Sequence, residues 1–286
     1  MRSIKGGKMN LNITVLSENT ASMGDFLAEW GLSVFIETGE IRILLDTGAG
    51  IAAVHNADAL GIDLKTVDKI VLSHGHNDHT GGLREILNRM KKRVEIIAHP
   101  DIWQKKYHRR KDDPERFIGI PFQREELESA GADFNLSNQP IMITENLLTT
   151  GEIPMITDYE TIDPGLFTRE GQEFQPDQLK DDRAVIIKTE KGLVIILGCA
   201  HRGMINTVYH AQKITGIQEV YAIIGGSHLI GASEERLWLS INALKELGVQ
   251  KLGLCHCTDL PVISILSQEF GENYIFVKSG LSLDLT

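Results

Sequence analysis

Short apolar runs, separated by turn-forming residues, recur through the first third of the chain. Apolar and polar residues alternate over 11–16, a period of two that is typical of a half-buried strand. Other runs space their apolar residues three and four apart, as the buried face of a helix does. The strands predicted in this way are 11–16, 33–37, 41–46, 69–72 and 94–99, and the helices are 51–60 and 83–90.

The second half of the chain repeats this order of strands and helices. Two apolar runs, 183–189 and 193–197, predict a hairpin around Lys191-Gly192. After the hairpin we predict helices over 204–215, 234–247 and 261–270, and strands over 220–224, 251–257 and 274–278, the last of which closes a sheet. Two halves of similar composition indicate an α/β protein with a single domain over 1–286.

Between the halves the pattern loosens. Charged residues crowd together over 105–116, Pro114 and Pro121 interrupt the chain, and 124–130 is a short predicted helix. We therefore expect an insertion or lid at about 101–138. The stretch 151–176 contains three prolines and several turn formers, which predicts a long loop near the active site.

Potential metal-binding side chains cluster most closely in the run Ser73-His74-Gly75-His76-Asn77-Asp78-His79. Three histidines and one aspartate follow directly after the predicted strand 69–72. A strand that ends in a tight loop brings these side chains into one small volume. Imidazole nitrogen and carboxylate oxygen are ligands that zinc and related divalent metals prefer. This run predicts a metal site.

The pattern His-x-His-x-Asp-His after a strand resembles the metallo-β-lactamase superfamily. The sequences Asp46-Thr47-Gly48, Gly198-Cys199-Ala200-His201 and His256-Cys257-Thr258 are similar to other motifs of that family. Together with Gly225-Gly226-Ser227-His228 they resemble one branch, labelled dihydropteroate-synthase-like or ribofuranosylaminobenzene-phosphate-synthase-like. The resemblance implies an α/β fold of four layers, an αβ/βα sandwich of two mixed sheets, with metal bound where the sheets meet.

The resemblance also implies a division of ligands. His74 and His76 would bind one metal, and Asp78 and His79 would face a second. His256 matches the last ligand of the family, and His201 is expected to replace a histidine that the second half lacks. Asp46 would orient ligands without binding metal.

Two positions remain open in this assignment. Cys199 lies where the family has an aspartate that bridges two metals, and it is either a ligand or, as we prefer, a small buried thiol. His228 follows a glycine pair and is expected to contact substrate or transfer a proton; metal binding and an ordinary buried histidine are the alternatives. Cys255 and Cys257 flank His256 and, on a strand, would point to the opposite face as packing residues.

Charge narrows the choice of partner. The formal net charge is −10, which argues against a generic nucleic-acid surface. A basic run at 105–111 is the exception, and it is either a solvated helix face or a rim that attracts an anionic substrate. The residues expected to form that rim are Lys105, Lys106, Arg109 and Arg110.

The expected location is the cytoplasm. Three cysteines do not form a complete disulfide framework, which fits a reducing compartment. The segment Met1–Asn10 lacks the apolar core of a secretion signal, and no apolar run approaches the roughly 20 residues of a membrane-spanning helix. We therefore expect neither a membrane nor a nucleic acid as partner, and a homodimer remains open.

These features favour a metal-dependent hydrolase. It would use a metal-activated hydroxide on a small anionic or phosphorylated ester or phosphodiester, with Asp78 and His228 as catalytic residues. One or two divalent ions are expected, zinc first, with manganese or iron as alternatives. A pterin-related synthase is the first alternative, with Trp30, Trp103, Tyr107 and Phe117 as candidate stacking residues. A non-catalytic metal-binding protein is the second. A diiron redox enzyme and an RNA-processing nuclease fit less well, since neither a flavin domain nor a positive groove is indicated.

Overall fold

A computed structural model describes residues 10–111 and 114–286. Residues 1–9, on which the expectation of no secretion signal rests, lie outside the described residues. The strands are β1 Leu11–Ser17, β2 Ser33–Thr38, β3 Arg42–Leu45, β4 Lys69–Val71, β5 Val94–Ala98, β6 Lys106–His108, β7 Arg116–Phe117, β8 Ala132–Leu136, β9 Leu147–Thr149, β10 Leu166–Glu170, β11 Glu173–Pro176, β12 Ala184–Thr189, β13 Gly192–Leu197, β14 Val220–Gly226, β15 Lys251–Cys255 and β16 Ser282–Asp284. The helices are α1 Ala52–Ala59, α2 Asn77–Thr80, α3 Leu83–Met90, α4 Arg124–Ser129, α5 Met204–Thr215, α6 Glu234–Glu246 and α7 Leu260–Phe270.

Two mixed sheets form the centre of the protein. The first has the strand order β16-β1-β2-β3-β4-β5-β8, and the second has the order β15-β14-β13-β12-β9. In the first sheet β3, β4, β5 and β8 run parallel, and in the second β13, β14 and β15 do. Each sheet therefore has a run of strands whose carboxyl ends share one edge.

The buried side chains divide into three cores, which show that the architecture has four layers. One core packs α1, α3 and α4 on the outer face of the first sheet. A second lies between the sheets, where Ile43 and Val71 share a cluster with Val194 and Ile224. The third packs α5, α6 and α7 on the outer face of the second sheet. Since both faces of each sheet are covered, alternate residues of a strand such as β13 enter different cores. The predicted αβ/βα sandwich of two mixed sheets is confirmed.

The predicted insertion at about 101–138 is only partly a separate unit. Within the described residues, β6 and β7 pair with β10 and β11 in a small antiparallel sheet of the order β11-β10-β6-β7. In contrast, β8 pairs with β5 and extends the first sheet, so the end of the predicted range is sandwich. The predicted long loop at 151–176 likewise ends in the hairpin β10–β11. That these segments act as a lid stays a prediction.

Two predicted strands near the carboxyl end were wrong in extent. The run 274–278 forms only an isolated bridge between Tyr274 and Leu252, and the strand that closes a sheet is β16, which pairs with β1. The predicted strand 251–257 stops at Cys255, where a 3-10 turn over His256–Thr258 begins. Among the described residues, no helix combines the length and the apolarity that crossing a bilayer requires.

Candidate metal centre

The predicted site residues follow the carboxyl ends of strands in both sheets. In the first sheet Asp46 follows β3 and His74 follows β4 closely; in the second, Cys199 follows β13, His228 follows β14 and His256 follows β15. Parallel neighbours end at the same edge of a sheet. The side chains therefore meet at one place although they are far apart in sequence.

The two edges touch at Gly198 and Ser73. A Cβ atom at residue 198 would lie 2.1 Å from the Ser73 hydroxyl oxygen and 3.3 Å from the Asp46 carboxylate. No side chain fits in that space. Glycine at this position lets the loop after β13 lie directly against the histidine loop of the other sheet.

His74, His76 and His201 form a first triad of ring nitrogens. The Nε2 atom of His74 lies 3.0 Å from His76 Nδ1 and 3.2 Å from His201 Nε2. A neutral imidazole has only one N–H, so one acceptor nitrogen per ring is available to a cation. Tetrahedral zinc with bonds of about 2.0–2.1 Å places its nitrogens about 3.4 Å apart. The triad therefore fits a metal ion.

Asp78, His79 and His256 form a second triad beside the first. The Oδ2 atom of Asp78 lies 3.3 Å from His256 Nε2 and 3.9 Å from His79 Nε2. His256 Nε2 is buried, and its contact with Asp78 does not have hydrogen-bond geometry in the described part of the chain. A buried polar atom without a well-directed hydrogen bond is costly, and a metal ion between these two groups would satisfy both.

Hydrogen bonds to the opposite ring nitrogens hold these imidazoles in place. Asp46 Oδ2 lies 2.7 Å from His79 Nδ1 and accepts a hydrogen bond of 2.6 Å from the Ser73 hydroxyl. That hydroxyl lies 2.9 Å from His74 Nδ1. On the other side, Asn19 Oδ1 lies 2.9 Å from His256 Nδ1. Such contacts fix the tautomer and orientation of ligating histidines, which agrees with the orienting role expected for Asp46.

The backbone of the site is strained. Four residues other than glycine have positive φ angles here: Asp46 (57°), Ala200 (51°), His228 (47°) and His256 (55°). The left-handed conformation is unfavourable for side chains with a Cβ atom and costs of order 1–3 kcal/mol at each residue. These turns aim the residues after the strand ends into the centre.

The electrostatic environments of the two triads differ. Burial lowers the pKa of His76 to about 3, and burial also lowers the pKa values of His74 and His201. For His79 burial opposes the charged form, but Asp78 and Asp46 outweigh it and raise the pKa. Burial opposes ionisation of Asp78, yet His79 and His256 lower its pKa. The first triad therefore presents neutral rings to a metal, and Asp78 presents a carboxylate.

Cys257 contradicts the sequence prediction, whereas Cys255 agrees with it. Cys255 packs in the core between the sheets. Cys257 instead lies with Cys199 and His256, with donor atoms within 4.8 Å of one another. The reason is that β15 ends at Cys255 and the positive φ angle of His256 breaks the alternation of a strand.

His228 lies between two cavities. One, of about 590 Å³, is lined by His76, Asp78, Cys199, His201 and Cys257; the other, of about 660 Å³, is lined by Arg109 and Arg110, and His228 lines both. Its ring lies 4.2 Å from that of His201, and burial lowers its pKa to about 4. His228 belongs to none of the metal-binding groups among the described residues. Its predicted contact with substrate stays a prediction.

The basic run divides into one buried and three exposed residues. Lys106 is fully buried, with its Nζ 2.8 Å from Asp177 and 3.0 Å from Asp181. The expectation that Lys106 faces an anionic substrate is therefore wrong, because β6 turns it inward onto two carboxylates. Arg109 and Arg110 line the larger cavity, whereas Lys105 lines a separate one.

The four candidate aromatic residues do not share one cavity. Trp30 lines the metal cavity and lies 5.4 Å from the His256 ring. Trp103, Tyr107 and Phe117 line another cavity, beside the small sheet. A stacking site built from all four is therefore not formed.

Sequence reasoning missed the buried acids that support the metal loops. Asp181 accepts a hydrogen bond of 2.8 Å from the backbone N–H of Gly75, and Asp182 accepts one of 2.8 Å from that of Arg202. Burial raises the pKa of Asp182 to about 7. The sequence Asp181-Asp182-Arg183 at the start of a strand was the available signal, since charged residues in a buried position need partners.

A family model described as the metallo-beta-lactamase superfamily matches residues 31–209. The chain belongs to this superfamily. Among solved structures, the superfamily member Tm1679, described as a metal-dependent hydrolase, has a TM-score of 0.84 and 26% identity, covering 96% of this chain and 99% of its own.

Two relatives come from Methanocaldococcus jannaschii. One is 7,8-dihydropterin-6-methyl-4-(beta-D-ribofuranosyl)-aminobenzene-5'-phosphate synthase, 36% identical over 286 residues, with 95% of each chain covered. The other is an uncharacterized protein, 30% identical over 268 residues, covering 94% of this chain and 98% of its own. The first relative agrees with the branch that the motifs resemble.

Proposed function

We propose that this protein is a metal-dependent hydrolase that acts on a small anionic or phosphorylated ester or phosphodiester. The observation that carries the proposal is the arrangement of the two triads, which adjoin one another at the wall of an open cavity. The superfamily member named as a metal-dependent hydrolase supports it.

The residues of the chain have distinct roles in this proposal. His74, His76 and His201 would hold one metal ion, and Asp78, His79 and His256 would hold a second. Metal ions in such sites supply hydroxide at neutral pH and polarise a carbonyl or phosphoryl oxygen. Asp78 lines the cavity and would also orient the attacking water by accepting a hydrogen bond. His228 lines the same cavity and would contact the leaving group, to which its neutral ring would donate a hydrogen bond.

The second cavity provides a place for an anionic group. Asp163, His228 and Ile230 line both cavities, so the two adjoin. The larger cavity, of about 660 Å³, is lined by Arg109, Arg110 and Arg236. An ester whose reacting bond lies at the triads would then place its negatively charged end near these arginines, where positive charge favours it.

A pterin-related synthase is the second candidate. The observation that favours it is the relative named as a dihydropterin-aminobenzene phosphate synthase, which matches over 95% of both chains. Its named product carries a phosphate, which also suits the basic cavity. In this case the same triads would activate a leaving group for replacement by an amine instead of by water.

One panel of substrates separates these functions. The metal-loaded protein is tested with a phosphodiester, a lactone and a thioester, and separately with a pterin compound that carries a leaving group together with an aminobenzene acceptor. Hydrolysis that is lost in His76→Ala supports the first function. Joining of the pterin and the acceptor, with no hydrolysis of the panel, supports the second. A metal-free protein that is equally active would contradict both.

A further inference from the structure

Two of the three cysteines face the metal centre. The Cys199 sulfur lies 3.1 Å from His79 Nε2, and Cys199 also groups with a ring nitrogen of His74. Cys257 groups with Cys199 and His256, with their donor atoms within 4.8 Å. Both cysteines are about 3% exposed and line the metal cavity.

The surroundings of Cys257 make room for its sulfur and stabilise negative charge on it. A Cβ atom at Gly226 would lie only 2.7 Å from this sulfur, so a side chain at that position would displace it. The backbone N–H of His228 donates a hydrogen bond to the Cys257 sulfur over 3.2 Å. Hydrogen bonds of this kind support thiolates that bind metal.

Cys199 lies where the two triads meet. It shares one group of donors with His74, from the first triad, and another with His256, from the second. This place is where the family resemblance leads one to expect a bridging carboxylate. A thiolate supplies the same negative charge between two cations, with a softer donor atom.

We propose that Cys199 and Cys257 are sulfur ligands of the metal centre, Cys199 between the two triads and Cys257 on the side of His256. Each thiol loses its proton to solvent as its sulfur binds. The proposal rests on the proposed function, because it needs metal at the triads. It also narrows the choice of metal, since thiolates favour zinc, cobalt, cadmium or iron over manganese and magnesium.

Cobalt(II) provides the test, because thiolate ligands give it an intense charge-transfer band in the near ultraviolet. The full-length protein is loaded with cobalt, and bound metal is measured by mass spectrometry. The variants are Cys199→Ser, Cys257→Ser and the double variant. Cys255→Ser is the matched control, since Cys255 is buried in the core between the sheets.

The wild type and Cys255→Ser should show the full band. Each single variant at the centre should lose part of it, with the larger loss in Cys199→Ser, and the double variant should lose all of it. A band of unchanged intensity in the double variant, or a cobalt-loaded wild type without the band, would overturn the proposal while leaving the histidine triads intact. A wild type that binds no cobalt would overturn the proposed function as well.

A second measurement needs no substitution, in case the double variant does not fold. X-ray absorption at the zinc edge of the unmodified protein separates zinc–sulfur distances of about 2.3 Å from zinc–nitrogen and zinc–oxygen distances of about 2.0–2.1 Å. A sulfur shell supports the proposal. A shell of nitrogen and oxygen alone contradicts it.

Discussion

Asp46 Oδ2 lies 2.7 Å from His79 Nδ1, and both side chains are fully buried. The same oxygen accepts a hydrogen bond from the Ser73 hydroxyl, and the oxygen of that hydroxyl contacts His74 Nδ1. One carboxylate therefore orients a histidine in each triad. We therefore expect Asp46 to influence the metal affinity of both triads through these contacts.

Replacing this carboxylate should weaken metal binding and leave the fold in place. Asp46→Asn is the suitable change, because asparagine tolerates the positive φ angle of 57° at this residue. We expect the metal Kd to rise about 10- to 100-fold, measured by calorimetry. Asp58→Asn, at a surface ion pair with Arg89, is the control and should bind as the wild type does. An unchanged Kd in Asp46→Asn would show that the contact is only structural.

Replacing a ligand should remove metal itself. His76→Ala and Asp78→Ala should each lose most bound metal and activity, while circular dichroism stays that of the wild type because the cores are apolar and separate from the site. The control is His55→Ala, which should keep the bound metal, because the exposed His55 side chain forms a hydrogen bond with the Asp25 carbonyl. Full occupancy in Asp78→Ala would contradict the assignment of a second site.

His201 should behave as the third ligand of the first triad. His201→Ala should lose metal to the same extent as His76→Ala, because both remove one nitrogen from the same group. His210→Ala is the control, since its ring is bonded to the Thr150 carbonyl outside the centre. Metal analysis of the purified variants tests this prediction. Retained metal in His201→Ala would show that His201 lines the cavity without being a ligand.

The buried ion cluster of Lys106 should matter for stability. Lys106→Met leaves Asp177 and Asp181 as uncompensated buried carboxylates and should lower the free energy of unfolding by about 3–5 kcal/mol. Lys105→Met, at an exposed neighbour, should change it by less than about 0.5 kcal/mol. Denaturant unfolding measures both. Equal effects would show that burial of Lys106 contributes no more than a surface charge.

The pKa shifts of Lys106 and Asp181 set the pH range over which this cluster stabilises the fold, whereas burial raises the pKa of Asp177, so ionisation of that carboxyl opposes stability at neutral pH. Burial lowers the pKa of Lys106, but Asp181 and Asp177 outweigh it and raise the value. The stability that charged Lys106 contributes is complete below the ordinary lysine pKa of about 10.4, and it is lost as the pH rises through the raised pKa. Burial opposes ionisation of Asp181, yet Lys106 lowers its pKa. The stability that ionised Asp181 contributes is present above about pH 3.9, and it is lost as the pH falls through the lowered pKa.

The exposed arginines should act on substrate capture. Neutralising Arg109 and Arg110 to Gln should raise KM for an anionic substrate and weaken its salt dependence, with little change in kcat, because exposed charges act by steering within a Debye length of about 8 Å. Arg84→Gln with Arg89→Gln, in surface ion pairs away from both cavities, is the control. An unaltered KM in the Arg109→Gln, Arg110→Gln variant would indicate that these arginines are solvated surface residues without a role in substrate capture. Lys106 is left out because it is buried.

The sequence determined the parts of this protein that depend on near neighbours. His74, His76, Asp78 and His79 lie within six residues, so one loop collects them whatever the rest of the chain does. The apolar runs over 183–189 and 193–197 likewise predict strands, because strands with both faces buried are apolar almost throughout.

The tertiary structure decided what depends on distant partners. Asn19 holds His256 across more than two hundred residues, and Lys106 points inward because Asp177 and Asp181 lie beneath it. Cys257 reaches the metal centre because a positive φ angle at His256 ends the alternation of its strand. No local pattern predicts these orientations, since each follows from the packing of one sheet edge against the other.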